Sequence, residues 1–341
     1  MPVATPDQYA EMLDKAKKNS FAYPAINVSS SSTINGVLQG LSDAGSDGII
    51  QVTTGGADYF AGQSVKARAS GALAFAAFVT EVAKNYPVTV ALHTDHCPKN
   101  ALDDFVYPLI AASEAEVKAG RNPIFQSHMW DGSAVPLDEN LDIAREILPR
   151  MKAINSILEV EIGVVGGEED GVSHDINDSL YTTLDDVIAT VEALGLGDQG
   201  RYIAALTFGN VHGVYKPGNV KLRPELLGEI QAGIAAKYGT DANPLDLVFH
   251  GGSGSTDEEI ATAVANGVIK MNIDTDTQYA YSRSIADSVL SNYAGFLKVD
   301  GEVGNKKIYD PRAWGKTAES ALALRVVEAT KQLGSAGHSS K

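Results

Sequence analysis

Three histidines each follow a short apolar run, and the chemistry this spacing suggests is metal binding. The first, His96, lies in Leu92-His93-Thr94-Asp95-His96-Cys97-Pro98, where the run 88–92 leads into two imidazoles and a carboxylate. The second is His212 in Thr207-Phe208-Gly209-Asn210-Val211-His212-Gly213, and the third is His250 in Leu247-Val248-Phe249-His250-Gly251-Gly252. Unbroken apolar runs suit strands covered on both faces of a parallel sheet, and ligands gather where such strands end. A lone histidine is more often a satisfied core residue. Three at strand exits point to a catalytic ion with three protein ligands and positions left open for substrate. His93 and His128 lie inside their runs and read as core, and Cys97 reads as an inert, partly buried thiol. His174 and His338 fall in polar segments that suggest no chemistry.

Bringing these ends together requires a particular arrangement of elements. Strands are expected at 22–28, 48–52, 88–95, 124–129, 157–163, 202–208, 245–249 and 268–273, each followed by a helical segment. The first helix, before them, is capped by Thr5 or Asp7, and the alanine-rich segment 65–86 reads as one long helix. Eight such units favour a closed (β/α)8 TIM barrel over an open doubly wound sheet, whose Gly-x-Gly-x-x-Gly turn after the first strand is absent. Residues beyond Tyr279 supply additional carboxyl-terminal helices. The expectation is one catalytic domain over 1–333 and a disordered tail over 334–341.

Two loops leave strand ends with unusual composition. Gly166-Gly167-Glu168-Glu169-Asp170-Gly171 is acidic, with glycines at both ends that can act as hinges. Gly251-Gly252-Ser253-Gly254-Ser255 precedes a helix whose amino end can bind an anion through backbone amides. In the fifth strand Glu159 and Glu161 share one side, and a carboxylate directed into a barrel is costly unless it meets a cation or donors. Lys270 is a candidate partner for Glu159, while Glu161 and Asp131 are candidates for supporting the metal's ligands or forming a second metal position.

The 341 residues carry 27 basic and 43 acidic side chains, a formal charge of -16, with a hydrophobic fraction of 44%. That charge argues against nucleic acid or an anionic membrane as partner, and an anionic substrate must find local positive potential. No apolar run approaches a membrane span, the amino terminus lacks the features of a signal peptide, and the single Cys97 fits a reducing cytoplasm.

Taken with Asn272-Ile273-Asp274-Thr275-Asp276-Thr277 and Asn210-Val211-His212-Gly213-Val214-Tyr215-Lys216, these motifs resemble class II fructose-1,6-bisphosphate aldolase over nearly the whole chain. The resemblance implies a zinc-dependent homodimer or larger homo-oligomer that reversibly cleaves fructose 1,6-bisphosphate to dihydroxyacetone phosphate and glyceraldehyde 3-phosphate. Its zinc ligands fall on His96, His212 and His250, its carboxylate acid on Asp95 and its mobile-loop base on Glu169. Phosphate contacts fall on Gly251, Gly252 and Ser253 and on Asp274 and Thr275. Asn272 falls where the family holds the enediolate, with Gly213 and Lys216 in the same pocket. Arg312 matches an arginine donated across the dimer, and Asp131 and Glu161 match carboxylates that the family places near the metal, as a second divalent position or as support for the ligands. A monovalent cation is a further expectation. The sequence departs from the family's Gln-Phe-Ser pattern at Val52 and Thr53, which keeps the hydroxyl for a substrate hydrogen bond but stiffens its rotamer.

Cleaving the bond between carbons three and four of a ketose requires an electron sink at the carbonyl and proton handling on both carbons, roles that suit zinc, Glu169 and Asp95. Three alternatives differ in substrate or class. The first is a tagatose-1,6-bisphosphate aldolase, the second a Schiff-base aldolase using Lys270, and the third a metal- or phosphosugar-binding protein without turnover. A triose phosphate assay with and without chelator separates the zinc enzyme from the binder.

Overall fold

The computed structural model of the protein describes residues 2–164, 180–211, 222–297 and 304–341, with the backbone alone of 166–169, 172–174 and 212. Eight parallel strands form a closed barrel: β1 (Tyr23–Asn27), β2 (Gly48–Val52), β3 (Val90–Thr94), β4 (Ser127–Trp130), β5 (Ile157–Ile162), β8 (Tyr202–Leu206), β10 (Leu247–Phe249) and β11 (Val268–Ile273). Three shorter strands, β6 (Gly166–Glu169), β7 (Val172–His174) and β9 (Val211–His212), make a separate small sheet. The helices are α1 (Pro6–Asn19), α2 (Ser31–Ala44), α3 (Thr54–Ala61), α4 (Arg68–Val82), α5 (Val106–Lys118), α6 (Leu137–Ala153) and α7 (Leu184–Leu194). After them come α8 (Glu225–Tyr238), α9 (Asp257–Ala265), α10 (Thr275–Ser291), α11 (Tyr293–Phe296), α12 (Lys306–Tyr309) and α13 (Pro311–Gln332). The eight expected barrel strands and the carboxyl-terminal helices are present. No helix among the described residues is long and apolar enough to cross a membrane.

The barrel interior is sorted along its axis by the two-residue period of its strands. Ala25, Ile49, Ala91, Ile157, Ile203 and Val248 form an apolar lower layer, closed from below by Tyr9, Met12 and Leu13 of α1. One step further along their strands come Asn27, Gln51, His93 and Glu159, and with them the interior turns polar. A larger apolar cluster lies between the sheet and the helices. Ligand chemistry therefore belongs at the carboxyl ends of the strands, above a dry floor.

The structure differs from the sequence reading in four places. A separate helix, α3, begins at the exit of β2 ahead of the helix expected over 65–86, its first turn capped by the Thr53 hydroxyl accepting from Gly56 N at 3.0 Å. The alanine-rich segment is shorter than one long helix, because Lys66 at φ 48° leaves helical geometry just before α4 and a 3-10 turn follows it at Ala83–Asn85. The acidic glycine-flanked segment has strand backbone at 166–169, paired antiparallel with β7 and parallel with β9. The last residues are packed rather than loose: Ser335 is fully buried, His338 stacks on Phe21 with centroids 4.5 Å apart, and Ser340 N donates to Asp47 at 2.8 Å.

Candidate active site

Asp95 and His96 follow β3 directly, and the chain turns there through an uncommon backbone conformation, His96 having φ 41°. The Asp95 carboxylate is fully buried and accepts three side-chain amides. Oδ2 takes Asn27 Nδ2 at 2.9 Å and Gln51 Nε2 at 3.0 Å, and Oδ1 takes Asn272 Nδ2 at 2.9 Å. These donors come from the ends of β1, β2 and β11, so closure of the barrel holds the acid in one orientation.

His96 and His250 meet across the mouth of the barrel. His96 Nε2 lies 3.1 Å from His250 Nδ1, and each ring's other nitrogen is held by a carboxylate, His96 Nδ1 by Asp131 Oδ2 at 2.9 Å and His250 Nε2 by Glu159 Oε1 at 2.7 Å. A carboxylate can only accept, so these outer nitrogens carry the protons and the two inner nitrogens are the basic ones. His250 Nε2 is also 3.2 Å from Asn272 Nδ2. With Nε2 donating to Glu159 that approach sets donor against donor, so the Glu159 contact governs. Burial lowers the His250 pKa, which favours the neutral ring a metal needs. Glu161, 1% exposed, places Oε2 3.7 Å from His96 Nδ1. Burial by itself would raise the Asp131 carboxyl, but hydrogen bonds from His96 and Ser133 hold it well below the usual carboxylate range.

Beneath this pair lies a buried ionic cluster. Lys270 Nζ forms an ion pair with Glu159 Oε2 at 2.8 Å, and both side chains are fully buried. Burial favours the protonated acid here too, yet the Lys270 ammonium, helped by the hydrogen bond from His250, keeps Glu159 well below the usual range. His93, read from sequence as ordinary core, sits 3.5 Å from Glu159 Oε2 with Nδ1 on Ser127 Oγ at 2.8 Å. His128 does match that reading, bonded to Thr94 Oγ1 at 2.7 Å and packed on Phe125, with burial pushing its pKa down to about 3. Burial pushes the Cys97 thiol up to about 12, as an inert thiol requires. A Schiff-base lysine must present its amine to substrate. Lys270 Nζ is instead engaged by Glu159 and Asn272 inside the core.

The remaining sequence candidates fall into four groups. Gly251, Gly252, Ser253 and Asn272 lie beside His250. Gly251 has φ 61°, and a Cβ there would fall 2.7 Å from Val211 O, so the loop presses on β9, while Asn210 Nδ2 ties the same strand region to His250 O at 2.8 Å. Thr53 and Asp274 line a pocket of about 180 Å³ with Asn27, Ser29, Gly55 and Gln278, and Thr275 begins α10. Arg312 stands apart, its side chain 84% exposed and paired with Asp310 at 2.7 Å. Gly213 and Lys216 lie outside the described residues, as do the side chains of His212 and Glu169, although the backbone places both on the small sheet, with Gly167 opposite His212. The anion site expected at α9 is altered, because Thr256 already caps that helix and its first turn carries Asp257, Glu258 and Glu259. Any anion there must be held by the 251–255 loop. Asn27 and Gln51 were missed by the sequence reading. Their signal was a polar residue at the last inward position of an apolar strand.

Comparison with known proteins agrees with this geometry. Residues 7–338 match the family model described as fructose-bisphosphate aldolase class-II. The chain is 65% identical to the fructose-bisphosphate aldolase of Streptomyces coelicolor, covering 100% of both chains. It is 60% identical to that of Mycobacterium tuberculosis, covering 99% of each. The crystal structure of fructose-bisphosphate aldolase from Campylobacter jejuni superposes with a TM-score of 0.86 at 38% identity, over 98% of this chain and 96% of that one. By sequence along its whole length and by fold, the chain belongs to the class II fructose-bisphosphate aldolase family.

Proposed function

We propose that the protein catalyses the reversible aldol cleavage of fructose 1,6-bisphosphate to dihydroxyacetone phosphate and glyceraldehyde 3-phosphate, the step shared by glycolysis and gluconeogenesis. The observation that carries this reading is the cluster of Asp95, His96 and His250, whose ligand atoms lie within 4.8 Å of one another at the mouth of the barrel. The donor set fits zinc, since neutral imidazoles oriented by carboxylates are its preferred nitrogen ligands. Two of them on a tetrahedral ion at about 2.0–2.1 Å stand roughly 3.3 Å apart. His96, His250 and His212 would hold the ion, which when bound supplies the Lewis acid that draws electron density from the substrate carbonyl. Each relative named above carries fructose bisphosphate in its name, which supports that substrate over the tagatose isomer.

The chain's own residues then divide the work. Asp95, locked by three amides, removes the proton from the hydroxyl on carbon four in cleavage and returns it in condensation. Glu169 exchanges the proton on carbon three of dihydroxyacetone phosphate. Gly251, Gly252 and Ser253, with Asp274 and Thr275, hold one phosphate, while Thr53, Asn272, Gly213 and Lys216 line the substrate pocket. Asp131 and Glu161 act chiefly by orienting His96, because its Nδ1 is already engaged by Asp131. Arg312 serves a partner's site in a homo-oligomer, a role supported by its exposure and by the exposed Tyr279, Leu290, Tyr293 and Leu324 on α10, α11 and α13. The single buried thiol suits a cytoplasmic protein.

Removing metal with a chelator should abolish triose phosphate production in a coupled assay, and zinc or cobalt should restore it at about one ion per chain. Full activity in a verified metal-free preparation would overturn the reading. Comparing cleavage with tritium exchange into dihydroxyacetone phosphate separates two roles. Glu169→Ala should slow exchange by roughly 10²- to 10⁴-fold at normal metal content. Arg312→Ala should impair cleavage of the bisphosphate while leaving exchange near the parent rate. Unchanged exchange in the first variant would move the base to Glu168, and equal loss of both reactions in the second would remove Arg312 from the far phosphate.

A further inference from the structure

Lys270 is fully buried on β11 and touches two groups that serve different halves of the site. Its Nζ forms an ion pair with Glu159 Oε2 at 2.8 Å and donates to Asn272 Oδ1 at 2.6 Å. The other oxygen of Glu159 accepts from His250 Nε2 at 2.7 Å, and the other end of the Asn272 amide donates to Asp95 Oδ1 at 2.9 Å. We propose that Lys270 is a positioning residue that sets the metal-facing nitrogen of His250 through Glu159 and the orientation of Asp95 through Asn272.

An ammonium has three donors and no acceptor, so it fixes the Asn272 amide with its oxygen towards Lys270 and its nitrogen towards Asp95, which can only accept. The same ammonium anchors Glu159 so that its free oxygen stays on His250 Nε2 and keeps the proton off Nδ1, the nitrogen 3.1 Å from His96. His93 cannot replace it at Glu159, since it stands further off at 3.5 Å and burial lowers its pKa well below the usual value. Lys270 therefore couples the ligand geometry to the acid, two parts of the site that sequence places on different strands. Its charge also needs Glu159 as counterion, so a purely structural role in the core is the competing explanation.

This inference rests on the aldolase reading, and the parent protein tests that reading in the same experiment through its own cobalt binding and triose phosphate production. Lys270→Met and the charge-balanced double variant Lys270→Met/Glu159→Gln are compared with the parent by near-ultraviolet circular dichroism, cobalt titration followed by the visible absorption of the bound ion, and steady-state kinetics. A positioning role predicts folded variants whose cobalt affinity falls roughly 10- to 100-fold. Their kcat should fall by a similar factor, with KM for the bisphosphate within about threefold of the parent. If Lys270→Met does not fold, the double variant, which leaves the pair without a lone buried charge, decides by comparison with Glu159→Gln alone: the proposal requires a further loss of kcat through Asn272 and Asp95, and equal kcat in the two overturns it. Parent-like cobalt affinity and kcat in a folded variant overturn the proposal. Failure of both variants to fold also overturns it, by assigning Lys270 to the core. A parent that neither binds cobalt nor makes triose phosphate sinks the aldolase reading instead.

Discussion

Asp95 shows how a single acid is prepared by its neighbours. Asn27 and Gln51 donate to one oxygen and Asn272 to the other, so the carboxylate cannot rotate without breaking bonds to three strands. Hydrogen bonds to charged groups contribute about 1.5–3 kcal/mol. Gln51→Leu removes one such donor without touching the histidines, and kcat for cleavage should drop by roughly tenfold or more while bound metal stays at the parent level. A kcat within twofold of the parent would mean that two amides suffice. Thr53 illustrates a different constraint. Its hydroxyl accepts from Gly56 N, which leaves its proton and one lone pair for a substrate bond while the cap holds the oxygen in place.

At the level of elements, α3 is a helix that precedes the one expected over 65–86, and it packs tightly on α4. Gly71 of α4 packs so closely on α3 that a Cβ there would fall 1.8 Å from Ala57 O. The pair meets at the exit of β2, and α3 begins at the capping Thr53 that lines the pocket. Gly71→Ala should force the helices apart, lowering stability by about 1–3 kcal/mol in urea unfolding, the usual cost of overpacking, and raising KM through the displaced Thr53. An unchanged urea midpoint would show that the two helices separate without strain. The small sheet of β6, β7 and β9 is the second unexpected element, and it joins the backbone carrying Glu169 to that carrying His212.

Across the whole molecule, the two ends of the barrel are assigned different tasks. The carboxyl ends of the strands carry the polar cluster, and the opposite end is sealed by α1 and by the chain's last residues. Asp47, fully buried just before β2, accepts from Thr89 N at 2.7 Å, Ser340 N at 2.8 Å and Ser339 Oγ at 3.2 Å. Deleting residues 336–341 leaves that carboxylate short of donors, a loss of roughly 1–3 kcal/mol. The urea midpoint should fall accordingly while kcat and KM stay at parent values, because the tail lies at the far end of the barrel from the site. A change in kcat without a change in midpoint would contradict this division.

Reading the chain alone was enough to place eight strands and to set His96, His212 and His250 near strand exits, because apolar runs and the residues that end them are local properties. It also offered Lys270 as a candidate partner for Glu159, since a carboxylate facing into a barrel is costly unless it meets a cation or donors, and the structure shows that pair. Only the tertiary structure decided that Asn27 and Gln51 grip Asp95, that Lys270 joins Glu159 to Asn272, and that His93 belongs to the ionic cluster. These contacts link strands distant in sequence, and their partners are set by barrel closure and register: β1 pairs with β11, and Ala25 stands opposite Asn272. The helix break before α4 and the packed tail were hidden for the same reason. An alanine-rich run has helical propensity whether or not a neighbour forces it apart, and a polar serine tail looks disordered until the buried Asp47 supplies its acceptor.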